Sequence, residues 1–238
     1  VGYEFDWSVL LTYRQLLLSG FVMTLKLSAI GIVFAFLVGS VMGLAKVSKN
    51  FFVALFATYY IEFFRNIPLI VQMFFIYFSF TLTDTFPFLE TLGAWIGLDN
   101  PNEFFSALIA LTAYTSTYIA EAVRSGIQSL PKGQMEAAES LGMRYSQSIY
   151  HVIFPQAIKI VWGPITSQFL NLIKNSSLAM TIGVAELTFQ TQEIDSLTFR
   201  GFEAATAVTL LYLFLTLATA SLMALVDRYA LIRTGAAR

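Results

Sequence analysis

Phe21 to Leu44 reads FVMTLKLSAIGIVFAFLVGSVMGL, an apolar run interrupted by one charge, Lys26. A helix needs about 20 largely apolar residues to cross the hydrocarbon core of a bilayer, and this run is long enough. Lys26 lies near one end, where a long side chain can snorkel to the interface. Ala35, Gly39 and Gly43 recur at four-residue spacing, a small-xxx-small stripe that lets a second helix backbone approach closely. The stripe is expected to line the contact with a neighbouring span.

Outward from this run, Phe51 to Leu82 covers 32 residues, roughly 48 Å as a straight helix and too long for one perpendicular crossing. Its centre reads Glu62-Phe-Phe-Arg65-Asn66-Ile-Pro68, so a tilted or proline-broken span is expected. Phe104 to Val123 reads as a third span, Val152 to Ile173 as a fourth that starts around Pro155, and Glu203 to Val226 as the last. Leu178 to Phe199 is less apolar and reads as a short helix or re-entrant piece at the membrane edge. The expected fold is an all-α integral membrane protein with about five transmembrane helices. Residues 1–20 form an extracytoplasmic N-terminal segment, 21–226 the transmembrane domain with a loop at 129–151, and 227–238 a tail.

Composition agrees. Of 238 residues, 57% are hydrophobic and only 12% charged, about half the charged fraction of a soluble domain. That balance excludes a disordered chain and disfavours an ordinary cytosolic enzyme. Fourteen Lys and Arg against fifteen Asp and Glu leave no basic field for nucleic acid. With no cysteine and the single histidine His151, thiol chemistry and His-rich metal clusters are absent. No G-x-x-x-x-G-K-[ST] or G-x-S-x-G string occurs, so ATP, if used, is bound by another chain. The first residues, VGYEFDWSVLLTYR, place two acids before the first base, the reverse of a signal peptide, and read as mature extramembrane sequence.

The few charges orient the spans. Lys46, Lys49, Arg124, Lys132, Arg144, Lys159, Arg228, Arg233 and Arg238 fall on the face reached by the first loop, the third loop and the C-terminus. The opposite face collects ten acids, from Glu4 to Glu203, with only Arg14 and Arg200 as bases. By the positive-inside rule the N-terminus is expected outside and the C-terminus in the cytoplasm.

The loop from Ser129 to Ala157 reads SLPKGQMEAAESLGMRYSQSIYHVIFPQA. Pro131 and Gly133 punctuate it, Gln134 to Leu141 favours helix, and Gly142 reads as its C-cap. Ala137 and Ala138 give this helix a low-relief face, with Glu136 and Glu139 solvated or meeting bases. Too short to be stable alone, such a helix suits a pocket on another protein. Glu136-Ala137-Ala138, then Gly142, then Pro155 thirteen residues on, resembles the EAA signature of ATP-binding-cassette (ABC) importer permeases; Val152 and Phe154 depart conservatively from that pattern. The strings EFFRNIPLIVQ from Glu62, AEAVRSGIQSLPKGQMEAA from Ala120 and NLIKNSSLAMTIGVAEL from Asn171 resemble the polar amino-acid branch, closest to glutamate/aspartate and general amino-acid permease subunits.

The resemblance implies the type I ABC importer permease fold, with the loop as a cytoplasmic coupling helix seated in a groove of the ATPase subunit. Gly133, Glu136, Ala137, Ala138, Gly142 and Pro155 would carry that coupling. It further implies an ATPase dimer that binds ATP and Mg, a second permease subunit of the same or a sibling kind, and a periplasmic amino-acid-binding protein. The permease itself would need no cofactor or metal and would sit in lipid as a multi-pass protein of the bacterial inner membrane.

A pathway can be sought among the polar residues of the spans, which usually face a cavity or another helix. Gln168, Asn171 and Asn175 fall within about 60° on a continuous helix. Ser167 and Lys174 widen this stripe to about 120°, and Ser176 and Ser177 follow it. The stripe either binds an amino acid's carboxylate and ammonium or forms a polar seam between helices. Tyr114, Thr117, Tyr118 and Glu121 form a second polar face. Glu121 either attracts an ammonium group or pairs with Arg124, and Glu62 with Arg65 is likewise a local ion pair. Asn66 and Pro68 mark a break whose freed backbone groups can line a path. Arg65 and Lys174 would suit the second carboxylate of glutamate or aspartate. Two rivals use the same residues: an ion-coupled secondary carrier, which shows no repeated halves here, and a membrane-embedded enzyme using paired carboxylates.

Overall fold

Apolar runs become long helices until a proline or an uncapped polar stretch stops them. The computed structural model describes residues 3–233; Val1, Gly2 and residues 234–238 of the tail, Arg238 among them, lie outside these. A short α1 (Ser8–Thr12) precedes α2 (Arg14–Lys46), so residues 14–20 belong to the first long helix and not to a separate segment. Next come α3 (Phe51–Asn66), α4 (Leu69–Ser79), α5 (Leu82–Thr85), α6 (Phe88–Trp95) and α7 (Pro101–Gln128). They are followed by α8 (Lys132–Ser140), α9 (Tyr145–Ser148), a π-turn (Ile149–Ile153) and α10 (Phe154–Asn175). A 3₁₀ stretch (Ser176–Ile182), α11 (Leu187–Thr198) and α12 (Gly201–Arg233) complete the order, with no strand among the described residues.

By length and apolar content α2 and α12 can each cross a bilayer, and α3 with α4 makes a third crossing if the bent pair counts as one. The 51–82 run is broken where expected. Pro68 adopts extended geometry, and the axes of α3 and α4 differ by 99°. A proline cannot donate to the preceding turn, and side-chain amides bond carbonyls on either side of the break. Asn66 Nδ2 donates to the Glu62 carbonyl at 2.7 Å, and Gln72 Nε2 to the Ile67 carbonyl at 2.9 Å. The stretch read as 178–199 resolves into the end of the 3₁₀ turn and α11, separated by Gly183 at φ +90°.

The chain forms two compact units. One comprises residues 1–33, 67–112 and 171–218, the other 34–66, 113–170 and 219–238. In the first, Val9, Leu17, Leu187, Ile194, Ala204 and Val208 form the core. Lys26 Nζ donates to the carbonyls of Ile96 at 2.7 Å and Gly97 at 3.3 Å, capping the C-terminal end of α6. Glu203, fully buried, accepts from the Asp6 amide at 2.8 Å and from the Tyr3 hydroxyl.

In the second unit the small-residue stripe packs on α7. A Cβ on Gly39 would lie 2.7 Å from the Ser116 carbonyl, and one on Gly43 2.7 Å from that of Ala120. Ala35 is completely buried. The stripe therefore sets helix separation, as a small-xxx-small contact does.

Candidate functional site

The segment after α7 is built as a projecting helix with a stop. Pro131 precedes α8 in extended geometry, and α8 ends in a glycine turn. Gly142 at φ +82° donates its amide to Glu139 at 2.9 Å, and Met143 donates to Ala138 at 3.2 Å. That pair of bonds is a Schellman closure, which requires a residue tolerant of left-handed geometry. Ala138 is buried at 4% exposure, whereas Glu136, Ala137 and Glu139 are exposed. Gln156 ties the helix back to α10 through a 2.6 Å bond to Gln134. Gly133 is exposed with no heavy atom within 4 Å of an added Cβ, so packing within the chain does not call for glycine there. Pro155 occupies the second position of α10, directly after the π-turn, so its missing N–H falls where one helical geometry passes into the other.

On α10 and the turn that follows, Gln168, Asn171, Asn175 and Ser177 are half-buried, while Ser167 and Lys174 are exposed. The opposite face is packed, with Ile165, Phe169 and Leu172 all buried. Several hydroxyls turn back on their own helix: Ser167 to Gly163, Ser177 to Lys174 and the buried Ser176 to Ile173. Thr117 is likewise fully buried and donates to the Tyr114 carbonyl at 2.7 Å.

Both local ion pairs form, and they join a larger cluster. Arg65 Nη2 meets Glu62 at 3.0 Å and Arg124 Nε meets Glu121 at 2.8 Å. Lys46 Nζ, from the end of α2, contacts Glu121 at 2.6 Å and Glu62 at 3.9 Å. Arg65 Nη1 closes the set at 4.0 Å from Glu121. Three cations thus share two carboxylates at half-buried positions.

Residues 15–230 match the family described as binding-protein-dependent transport system inner membrane component. The chain belongs to that family. This permease is 35% identical to the glutamate/aspartate import permease protein GltJ of Escherichia coli K12, over 94% of each chain. It is 40% identical to the protein named "Probable glutamine ABC transporter permease protein GlnM" of Bacillus subtilis strain 168, over 88% of this chain and 91% of that one. A solved relative, titled as the crystal structure of an amino acid ABC transporter with histidines, superposes with a TM-score of 0.79 at 34% identity, covering 95% of this chain and all of that one. The permease therefore has the type I importer fold. As an inner membrane component it is a transport subunit and not an enzyme.

Sequence reasoning missed several polar residues of the permease. Lys46 was assigned to a cytoplasmic loop, yet it is a full member of the ion cluster. Glu186 was counted only as an acid of one face. It is fully buried, caps α11 by accepting from Phe189 at 2.9 Å, and accepts from Tyr212 at 2.5 Å. Burial pushes the Glu186 carboxyl above the ordinary carboxylate range, against those hydrogen bonds, which favour the anion. An acid immediately before a helix start was the available signal.

Proposed function

We propose that this chain is the permease subunit of an ABC importer for polar L-amino acids, with glutamate and aspartate or a broad L-amino-acid range as favoured substrates. The observation that carries the reading is α8, which holds Glu136, Ala137 and Glu139 exposed on a Schellman-capped helix. A helix of nine residues has little stability in isolation, and this one presents Glu136, Ala137 and Glu139 on a surface left open among the described residues. Open space around Gly133 and Gly142 supports close approach by a partner backbone. That partner is a cytoplasmic ATPase dimer, which binds ATP and Mg. A second permease subunit, identical or sibling, and a periplasmic amino-acid-binding protein complete the importer.

In this reading ATP-driven closure of the ATPases pushes on α8 and shifts the permease between inward-facing and outward-facing states. The polar edge of α10 serves as the transient path, with Gln168, Asn171 and Asn175 offering amides to a carboxylate or ammonium. Arg65, Asn66 and Glu121 lie in the ion cluster and its flank, where the surplus cation favours an anionic side chain. The N-terminus is periplasmic and the C-terminus cytoplasmic, as the distribution of bases implies.

Co-purification tests the docking. Glu136→Lys or Gly142→Asp is expected to abolish ATPase association and transport together, while the permease still inserts. Retention of both by either variant would refute the docking role of α8.

A further inference from the structure

Within the unit that contains α8, two cavities of about 520 and 320 Å³ adjoin. They share Leu44 of α2, Ile127 of α7, and Phe154 and Ala157 of α10, and so form one groove between α2 and α10 with α7 as its floor. Missing side chains set its shape. A Cβ on Gly43 would lie 2.7 Å from the Ala120 carbonyl, and one on Gly126 2.0 Å from Val161 Cγ1, so α2 and α10 both press onto α7 and leave a channel between them.

The groove passes from polar to apolar along the helix axes. Its deep end lies among Phe36, Ser40, Trp162 and Ile165, within the expected spans, where the rings of Phe36 and Phe169 meet edge to face with centroids 6.1 Å apart. Its mouth lies past the ends of those spans, at Ser48, Lys49, Met135 and Tyr145. From Phe154 to Ile165 the wall on α10 extends about 16 Å, close to the roughly 15 Å that one leaflet contributes to the hydrocarbon core. Phe36, Leu44 and Phe154 stand exposed along it. Water is a poor cover for such a strip. An acyl chain of one leaflet matches it in length and in chemistry.

The mouth selects charge. No acid lines it, and among the described residues the Lys49 ammonium meets no carboxylate within 4.0 Å. Lys49 Nζ stands 4.5 Å from the centroid of the Tyr145 ring, a contact that positions the ammonium without neutralising it. Ser48 Oγ accepts from the Asn50 amide at 3.2 Å, which leaves its hydrogen to donate. An ammonium and a hydroxyl donor at headgroup depth, at the mouth of a groove of acyl length, are complementary to a phosphate ester.

We propose that this groove holds one anionic phospholipid of the cytoplasmic leaflet, with an acyl chain between α2 and α10 and the phosphate on Lys49 Nζ and Ser48 Oγ. Basic pockets between spans on the cytoplasmic side suit anionic headgroups. The choice of leaflet rests on the orientation proposed above, whereas the site rests on the groove. Pro131 and Met135 belong to the same lining, so the lipid packs against the base of α8 and joins the docking helix to the membrane.

The test is native mass spectrometry of the permease–ATPase complex titrated with phosphatidylglycerol or phosphatidylcholine. The wild type is expected to hold phosphatidylglycerol about fivefold more tightly, the gain that one base gives at an anionic headgroup. Lys49→Glu is expected to abolish that preference and Lys49→Arg to keep it, while Ser40→Phe, which fills the groove, should weaken both lipids about fivefold. Equal affinity of the wild type for the two lipids would overturn the assignment even if every variant failed to assemble. So would an unchanged preference in Lys49→Glu. With p-benzoylphenylalanine in place of Leu44, in nanodiscs containing phosphatidylglycerol, ultraviolet light is expected to attach phospholipid; attachment to a second permease subunit would place that subunit in the groove and overturn the site. The sequence has no cysteine, so Lys49→Cys reports its own side of the membrane. Labelling of that variant by an impermeant maleimide from outside would refute the orientation beneath the choice of leaflet, whereas loss of the lipid preference with labelling confined to the inside would refute the site alone.

Discussion

The two units hold their charges differently. In the unit holding α3 and most of α7, Lys46, Glu62, Arg65, Glu121 and Arg124 satisfy one another across three helices, with the closest contact at 2.6 Å. In the unit holding α11, the buried acids accept from tyrosines, Glu186 from Tyr212 and Glu203 from Tyr3, with Arg200 3.8 Å from Glu203, and among the described residues Lys174 meets no acid within 4.0 Å. A closed network stabilises a scaffold, because removing one member strands the others. An exposed ammonium without an acid beside it contributes little to the fold. Lys46 thus belongs to the scaffold of its unit, and Lys174 stands outside that of its own.

The largest expected loss of stability comes from breaking the network. Glu121→Leu leaves Lys46 and Arg124 without their shared partner and should cost about 3 kcal/mol, read as a lowered melting temperature in detergent. Adding Lys46→Met should recover part of that loss, and simple additivity of the two would show that the pair is not coupled. Next, Gly39→Val places a Cβ 2.7 Å from the Ser116 carbonyl and should cost about 2 kcal/mol by overpacking. Tyr212→Phe removes one hydrogen bond to a buried carboxyl and should cost about 1 kcal/mol.

A smaller effect is expected from pH. Burial raises the Glu186 carboxyl above its unfolded value, so the native state holds this proton at a pH where the unfolded chain has lost it. Stability should then fall as pH rises from the ordinary carboxylate range through the raised value, and level off above it. Glu186→Gln should flatten that part of the melting-temperature profile. Smallest of all is the effect of Lys174→Met on melting, expected within experimental error, since its ammonium has no partner to lose. A clear fall there would move Lys174 to the structural side of the comparison.

How much of this was legible depends on the range of the interaction. The span at Phe21–Leu44, the break at Pro68 and the Gly142 stop are local, and periodicity or a single residue announces them. Glu62 with Arg65 and Glu121 with Arg124 were readable for the same reason, being three residues apart on one helix. Lys46 joining Glu121 across 75 positions leaves no periodic trace. Nor does Lys26 capping α6 from 70 residues away. A second groove, in the unit holding α11, draws Lys174 and Ser177 together with threonines on α11 and α12. Scattered Thr in apolar sequence looks like any helix-compatible hydroxyl, so the stripe on α10 was visible and its continuation was not.

The account as a whole rests on import powered by a partner ATPase. The direct measurement is amino-acid uptake by proteoliposomes that contain this permease, with its ATPase and binding protein added or withheld. Uptake that requires all three and keeps pace with ATP hydrolysis is the expected result. Uptake by the permease alone, driven by an ion gradient, would contradict it.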